Sequence, residues 1–145
     1  MFKLPRFALL SLALVSTLAS GQEAAVLSDL DSQGRVTLTK EQLGQLLPNA
    51  SMSRVIANGN KHYWKNDSDG TFIIRSDTKQ QLTSGATAYG KWHISEDGRY
   101  CVLIEWKRAP TEEWCRYIVK AGDTYYGTKS DKHGTEKVYK LEISK

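Results

Sequence analysis

The sequence predicts a mainly β protein: about eight antiparallel strands in a small meander barrel or curled sheet, with one short N-terminal helix. Three observations predict it. Short runs rich in aromatic and β-branched residues recur from Ser51 to Ile143, as pleated, half-buried strands require. Turn signals divide them at intervals of roughly ten residues. No connection is long enough to carry a crossover helix, so chain neighbours are expected to pair antiparallel.

The N-terminal region comes first. Residues 1–21 read as a signal peptide: Lys3 and Arg6 form a basic opening, Phe7 to Leu18 an apolar run, and Ala19, Ser20 and Gly21 a small-residue exit. The apolar run falls short of the about 20 residues that a resident membrane helix needs. Residues 22–38, crowded with Ser28, Asp29, Asp31, Ser32 and Gly34, read as a flexible lead-in, and a single β domain is expected over 39–145. Thr39 with Gln42 forms a capping box. Leu43, Leu46 and Leu47 follow at helical spacing, and Pro48 and Asn49 stop the helix. Two turns are marginal alone in water, so the leucines must lean on something larger.

The strands follow. Arg54 to Ala57 is separated from Lys61 to Lys65 by Asn58-Gly59, a strong hairpin signal. Asp67 to Gly70 leads into Thr71 to Ser76, and Asp77 to Gly85 is the longest internal loop. Thr87 to Ser95 and Arg99 to Trp106 flank Glu96-Asp97-Gly98; Trp114 to Lys120 and Asp123 to Thr128 flank Ala121-Gly122. Glu136 to Ile143 closes the set. In the middle hairpin, alternation puts Tyr100, Val102, Ile104, Trp106, Trp114, Arg116 and Ile118 on one face, assigned to the core. The other face holds Cys101 and Cys115 opposite each other, with Arg99 opposite Tyr117. An exported protein meets oxidising conditions, so the two cysteines are expected to form a disulfide.

Composition narrows the function classes. Basic residues number 20 and acidic residues 16. Without the leader, which holds Lys3 and Arg6, 18 face 16 and the net charge is +2. That is too little for an electrostatic nucleic-acid surface or a polybasic membrane anchor. There is no G-x-S-x-G elbow, no H-E-x-x-H and no phosphate-cradling glycine loop. Glu96-Asp97 and Glu112-Glu113 read as solvent-facing neighbours, not as a pair held across a substrate. Asp67 and Asp69 before Gly70 read as a turn, because a strand follows where calcium would need further oxygen ligands. His62, His93 and His133 read as separate surface histidines, so no metal or cofactor is expected. Outside the leader the aromatics are four Trp, seven Tyr and one Phe, and nearly all carry a polar handle. Sequential Tyr125-Tyr126 and Tyr63-Trp64 must each send one ring outward from a strand. Tyr63, Tyr125 and Tyr126, with Trp64 as the alternative to Tyr63, are therefore the candidate binding surface.

The ordered pattern of Glu41 to Leu47, Asn58-Gly59, Asp69-Gly70-Thr71, Gly90-Lys91-Trp92, Asp97 to Cys101, Trp106, Trp114-Cys115 and Gly122 to Tyr126 resembles a group of small exported proteobacterial proteins catalogued as a domain of unknown function. The resemblance covers about residues 39 to 127. It implies a periplasmic or secreted β domain and carries over no catalytic or ligand-binding residue. The expectation is an exported non-catalytic binding module for a protein or envelope glycan, with no nucleic-acid partner. The alternatives are a small-ligand carrier barrel, which requires an interior cavity of about 300 Å³ or more, and a periplasmic hydrolase. The hydrolase requires two or more of Glu105, Asp123, His62 and His93 to converge in a cleft.

Overall fold

The computed structural model describes residues 23–77 and 86–145, so the expected leader and nearly all of the 77–85 loop lie outside the described residues. The elements are a 3-10 helix (Leu27–Gln33), β1 (Val36–Thr37), helix α1 (Lys40–Leu46), β2 (Ser51–Val55), β3 (Lys61–Lys65), β4 (Thr71–Asp77), β5 (Thr87–Ile94), β6 (Tyr100–Glu105), β7 (Glu112–Ala121), β8 (Thr124–Thr128) and β9 (Val138–Ser144). The Thr39 capping box forms as expected: Thr39 Oγ1 accepts from the Gln42 amide and Gln42 Oε1 from the Thr39 amide. The first strand begins earlier than expected, at Ser51, because its pairing with β3 starts at the Ser51–Lys65 partners.

Strands β2 to β9 pair in chain order and close into an eight-stranded antiparallel barrel, with β1 as an extra strand. Closure depends on two strands that change partners along their length. In β7, Glu112 to Arg116 pair with β6 and Tyr117 to Ala121 pair with β8. In β9, Val138 to Leu141 pair with β8 and Glu142 to Ser144 pair with β2. β1 pairs with Val119 and Lys120 of β7, beyond the point where β6 ends. This settles the choice between barrel and curled sheet: each of the eight strands has a neighbour on both sides.

The middle hairpin pairs in the expected register. Cys101 is opposite Cys115 and disulfide-bonded to it, and Val102 is opposite Trp114. Tyr100, Val102, Ile104 and Ile118 are buried in the barrel interior. Helix α1 closes one end, its Leu43 and the following Leu47 fully buried in the same cluster. Below it lies a polar tie. Asn66, with no exposed surface, donates to the Leu47 carbonyl and to Met52 Sδ. It accepts from the Tyr100 hydroxyl at 2.6 Å, and that hydroxyl accepts from Trp64 Nε1 at 3.0 Å. The network is satisfied on both sides, as a buried polar group must be.

The lead-in differs from expectation. In place of a loose segment, Leu27 to Gln33 form a 3-10 helix whose i, i+3 eclipse stacks Leu27 and Leu30 on one side. Both are fully buried. They pack on the outward face of β7, β8 and β9, where Val119, Ala121, Tyr126 and Val138 form a second core outside the barrel. The Asp29 carboxylate accepts from the Ala25 and Val26 amides at 2.9 and 3.0 Å, which holds its pKa below the usual carboxylate range. Gly34, at φ 66°, ends the helix.

Candidate functional site

The end of the barrel opposite α1 is bounded by the β2–β3 turn, the β6–β7 loop and the start of β9. Three interior side chains line up there by register. Arg54 on β2 is opposite His62 on β3, and His62 is opposite Ser76 on β4. Directly opposed residues on paired strands share a face, so the three form one inward row. Arg54 crosses the lumen to β7, where its Nη2 donates to Glu112 Oε1 at 3.3 Å and its guanidinium lies 4.8 Å from the centre of the Trp114 ring. The other Glu112 oxygen accepts from Trp106 Nε1 at 2.6 Å. The Trp106 ring lies 5.3 Å from that of His62.

These groups surround an open cavity of about 850 Å³. Its floor carries Arg54, His62, Ser76 and Glu112; its rim carries Val55, Ile56, Ala109, Pro110 and Tyr139 together with the uncharged polar residues Asn58, Asn60 and Thr111. His62 is only 4% exposed, and its Nδ1 has no hydrogen-bond partner among the described residues. The same holds for Arg54 Nε and Trp114 Nε1. Burial, reinforced by the nearby Arg54 charge, lowers the His62 pKa and favours the neutral imidazole. Burial also pulls the Arg54 guanidinium below its ordinary value, against the opposing pull of Glu112. Arg54 stays cationic nonetheless, since arginine does not lose its proton in proteins. The arrangement presents buried donors and one committed carboxylate beneath a largely apolar, uncharged rim.

The sequence-predicted residues are dispersed. Tyr63 is 39% exposed on the outer face of β3. Trp64 is buried in the barrel and bonded to Tyr100, so it is not a surface alternative to Tyr63. Tyr125 is half-buried against the barrel interior. Tyr126 does point out of the barrel, but the 3-10 helix covers it and leaves it 7% exposed. The outward strip expected from Tyr63, Tyr125 and Tyr126 therefore does not form. The hydrolase residues do not converge either. Glu105 and His93 are exposed, Asp123 is exposed in the β7–β8 turn, and only His62 reaches the cavity. No cluster of three or more His, Cys, Asp or Glu suited to a metal occurs among the described residues.

Sequence reasoning named His62 only as a surface histidine or one of four hydrolase candidates, and gave Arg54 and Glu112 no binding role. His62, expected at the surface, is buried, and Glu112, expected to face solvent, is bonded inside the mouth. A signal was available: His62 alternates with Trp64 on one strand, and Glu112 with Trp114 on another, so each shares the face of a tryptophan. No helix of the described residues is long and apolar enough to cross a membrane. No family model, curated protein or solved structure matches the chain.

Proposed function

We propose that this protein is an exported carrier or sensor that holds a small ligand in the open end of its barrel. The observation that carries the reading is the cavity of about 850 Å³, with charged and polar side chains on its floor and a largely apolar, uncharged rim. Small-ligand sites commonly occupy about 300–1,000 Å³, with a few placed polar groups in an apolar surround. Eight strands enclose an interior that side chains can fill or that can hold one small ligand. Here α1 and the large side chains fill one end, and the described residues leave the other end open. Glu112 is the only carboxylate among the described residues lining the cavity, and it is engaged by Trp106 and Arg54, which favours binding over paired-carboxylate hydrolysis. Export is supported by the leader pattern of residues 1–21 and by the disulfide.

The test is a panel of small amphiphiles and aromatics followed by native mass spectrometry and tryptophan fluorescence. Ligands should bind one per chain and should be excluded by Ala109→Trp, which sets an indole at the rim. A binder that Ala109→Trp leaves untouched would place the site elsewhere.

A second reading, a protein-binding module, is favoured by one observation. Ile73 and Tyr89 are directly paired on the outer face of β4 and β5, 53% and 67% exposed, beside Tyr63. Loss of a captured partner in Tyr89→Ala, with the amphiphile panel unaffected, would support it.

A further inference from the structure

We infer that the ligand of the barrel mouth is a small amphiphilic carboxylate, whose head group takes up the Arg54 guanidinium in competition with Glu112 and whose apolar part lies along the rim. This rests on the carrier reading above. The first ground is a surplus of donors. A guanidinium has five N–H donors, and Arg54 makes one hydrogen bond among the described residues, to Glu112. That bond is long for a charge-assisted one, at 3.3 Å. Arg54 Nε is buried with no acceptor among the described residues.

The second ground is independent of Arg54. His62 is 96% buried, lines the same cavity, and its Nδ1 has no partner among the described residues. Nδ1 and Arg54 Nε are both closed to solvent, so the two adjacent side chains must turn toward the cavity to meet a single acceptor group, the neutral imidazole donating from one nitrogen. Buried polar groups left unpaired cost free energy that a matching ligand atom recovers.

The third ground is polarity by depth. The charged and buried polar groups lie on the interior row Arg54–His62–Ser76, whereas the exposed rim carries no charge and mixes apolar Val55, Pro110 and Tyr139 with neutral Asn58 and Thr111. A head-down amphiphile fits that gradient, and a uniformly polar ligand does not. The sign follows from which floor group is uncommitted. Glu112 has both oxygens occupied, by Trp106 Nε1 and Arg54 Nη2, so it offers little to a cation, whereas the guanidinium, stacked on Trp114, makes only one hydrogen bond among the described residues. The head group therefore competes with Glu112 for Arg54, and Glu112 keeps its bond to Trp106.

Decanoate, decanol and decylamine share a tail and differ in the head, so their affinities for the purified disulfide-bonded protein decide the question. Decanoate should bind about tenfold or more tightly than decanol, as one hydrogen bond to a charged group implies. Glu112→Gln removes the competing charge but can still accept from Trp106, so it should tighten decanoate several-fold and leave decanol unchanged. Arg54→Met with Glu112→Gln avoids stranding a buried charge; it should abolish the preference while decanol still binds. Equal binding of decanoate and decanol, strongest binding of decylamine, or a preference that survives the double substitution would overturn the inference. If none of the three binds while another ligand is excluded by Ala109→Trp, this inference falls and the carrier reading stands. If Ala109→Trp affects no ligand, the carrier reading itself fails.

Discussion

Gly90 sits within β5 with its missing side chain aimed into the barrel, where an alanine Cβ would overlap the Phe72 ring. Phe72 is itself 2% exposed and paired to Gly90 across β4 and β5, so the ring must be displaced within the core to admit a methyl group. Gly90→Ala is expected to lower stability by about 1–3 kcal/mol through overpacking, read from urea unfolding; an unchanged midpoint would show that the ring can shift. His62 supplies a second test at this scale. Its folded pKa is depressed by burial, so as pH falls the unfolded chain takes up this proton first. Stability should therefore decline as pH falls below the ordinary histidine value of about 6.5. The depressed carboxylates Asp29, Asp69, Asp97 and Glu142 act in the same direction but at lower pH, nearer their own ordinary range. Between about pH 7.5 and pH 5.5, wild type should lose more stability than His62→Gln. Equal slopes would mean that His62 is solvated.

Among the elements, the β6–β7 hairpin and the 3-10 helix are joined to the barrel by different forces. The disulfide joins residues 14 apart in sequence on directly opposed positions. Replacing Cys101 and Cys115 together by Ala should cost about 2–4 kcal/mol. The fold should survive, since the hairpin also pairs along its length and β7 is held independently by β8. Loss of the β-rich circular dichroism spectrum would show that closure depends on the bond. The 3-10 helix is held by apolar burial and by backbone hydrogen bonds from the Leu27 and Ser28 amides to the Glu136 and Gly134 carbonyls. Leu30→Ala should cost about 2–5 kcal/mol yet leave ligand affinity unchanged, because its cluster lies on the outward face of β7–β9, not in the lumen. A parallel loss of binding would mean that the outer cluster and the mouth are coupled.

For the molecule as a whole, the two ends of the barrel differ in kind. One end is closed by α1, by the Asn66–Tyr100–Trp64 network and by large buried side chains. The other carries a half-buried ion pair beneath an open cavity. Regions dense in buried contacts open last, and exposed turns open first. Amide exchange should therefore be slowest for the paired amides of β6 around Tyr100 and Val102 and fastest in the β2–β3 turn at Asn58 and Gly59. Adding a ligand should slow exchange selectively at the open end. Uniform protection across the barrel would argue for a filled interior with no distinct mouth.

The sequence by itself determined the local features of this protein. The Thr39 capping box, the Asn58-Gly59 turn, the alternation of Tyr100 to Ile104 and the opposition of Cys101 and Cys115 all rest on interactions between residues close in the chain. Such short-range chemistry is written in residue type and spacing, and it was enough to name a β meander with a disulfide across one hairpin. What tertiary structure decided was what lies against each face. Alternation places Tyr126 away from the barrel, but only the docking of Leu27 and Leu30 from far earlier in the chain turns that exposed side into a second core. Closure through β7 and β9 likewise carries Arg54 to Glu112, 58 residues away, and folds a strand histidine and a loop-edge glutamate into one cavity. Period-two spacing tells which side chains share a side of a strand; the curvature of the closed sheet and the segments that cover it determine whether that side meets water, protein or a lumen.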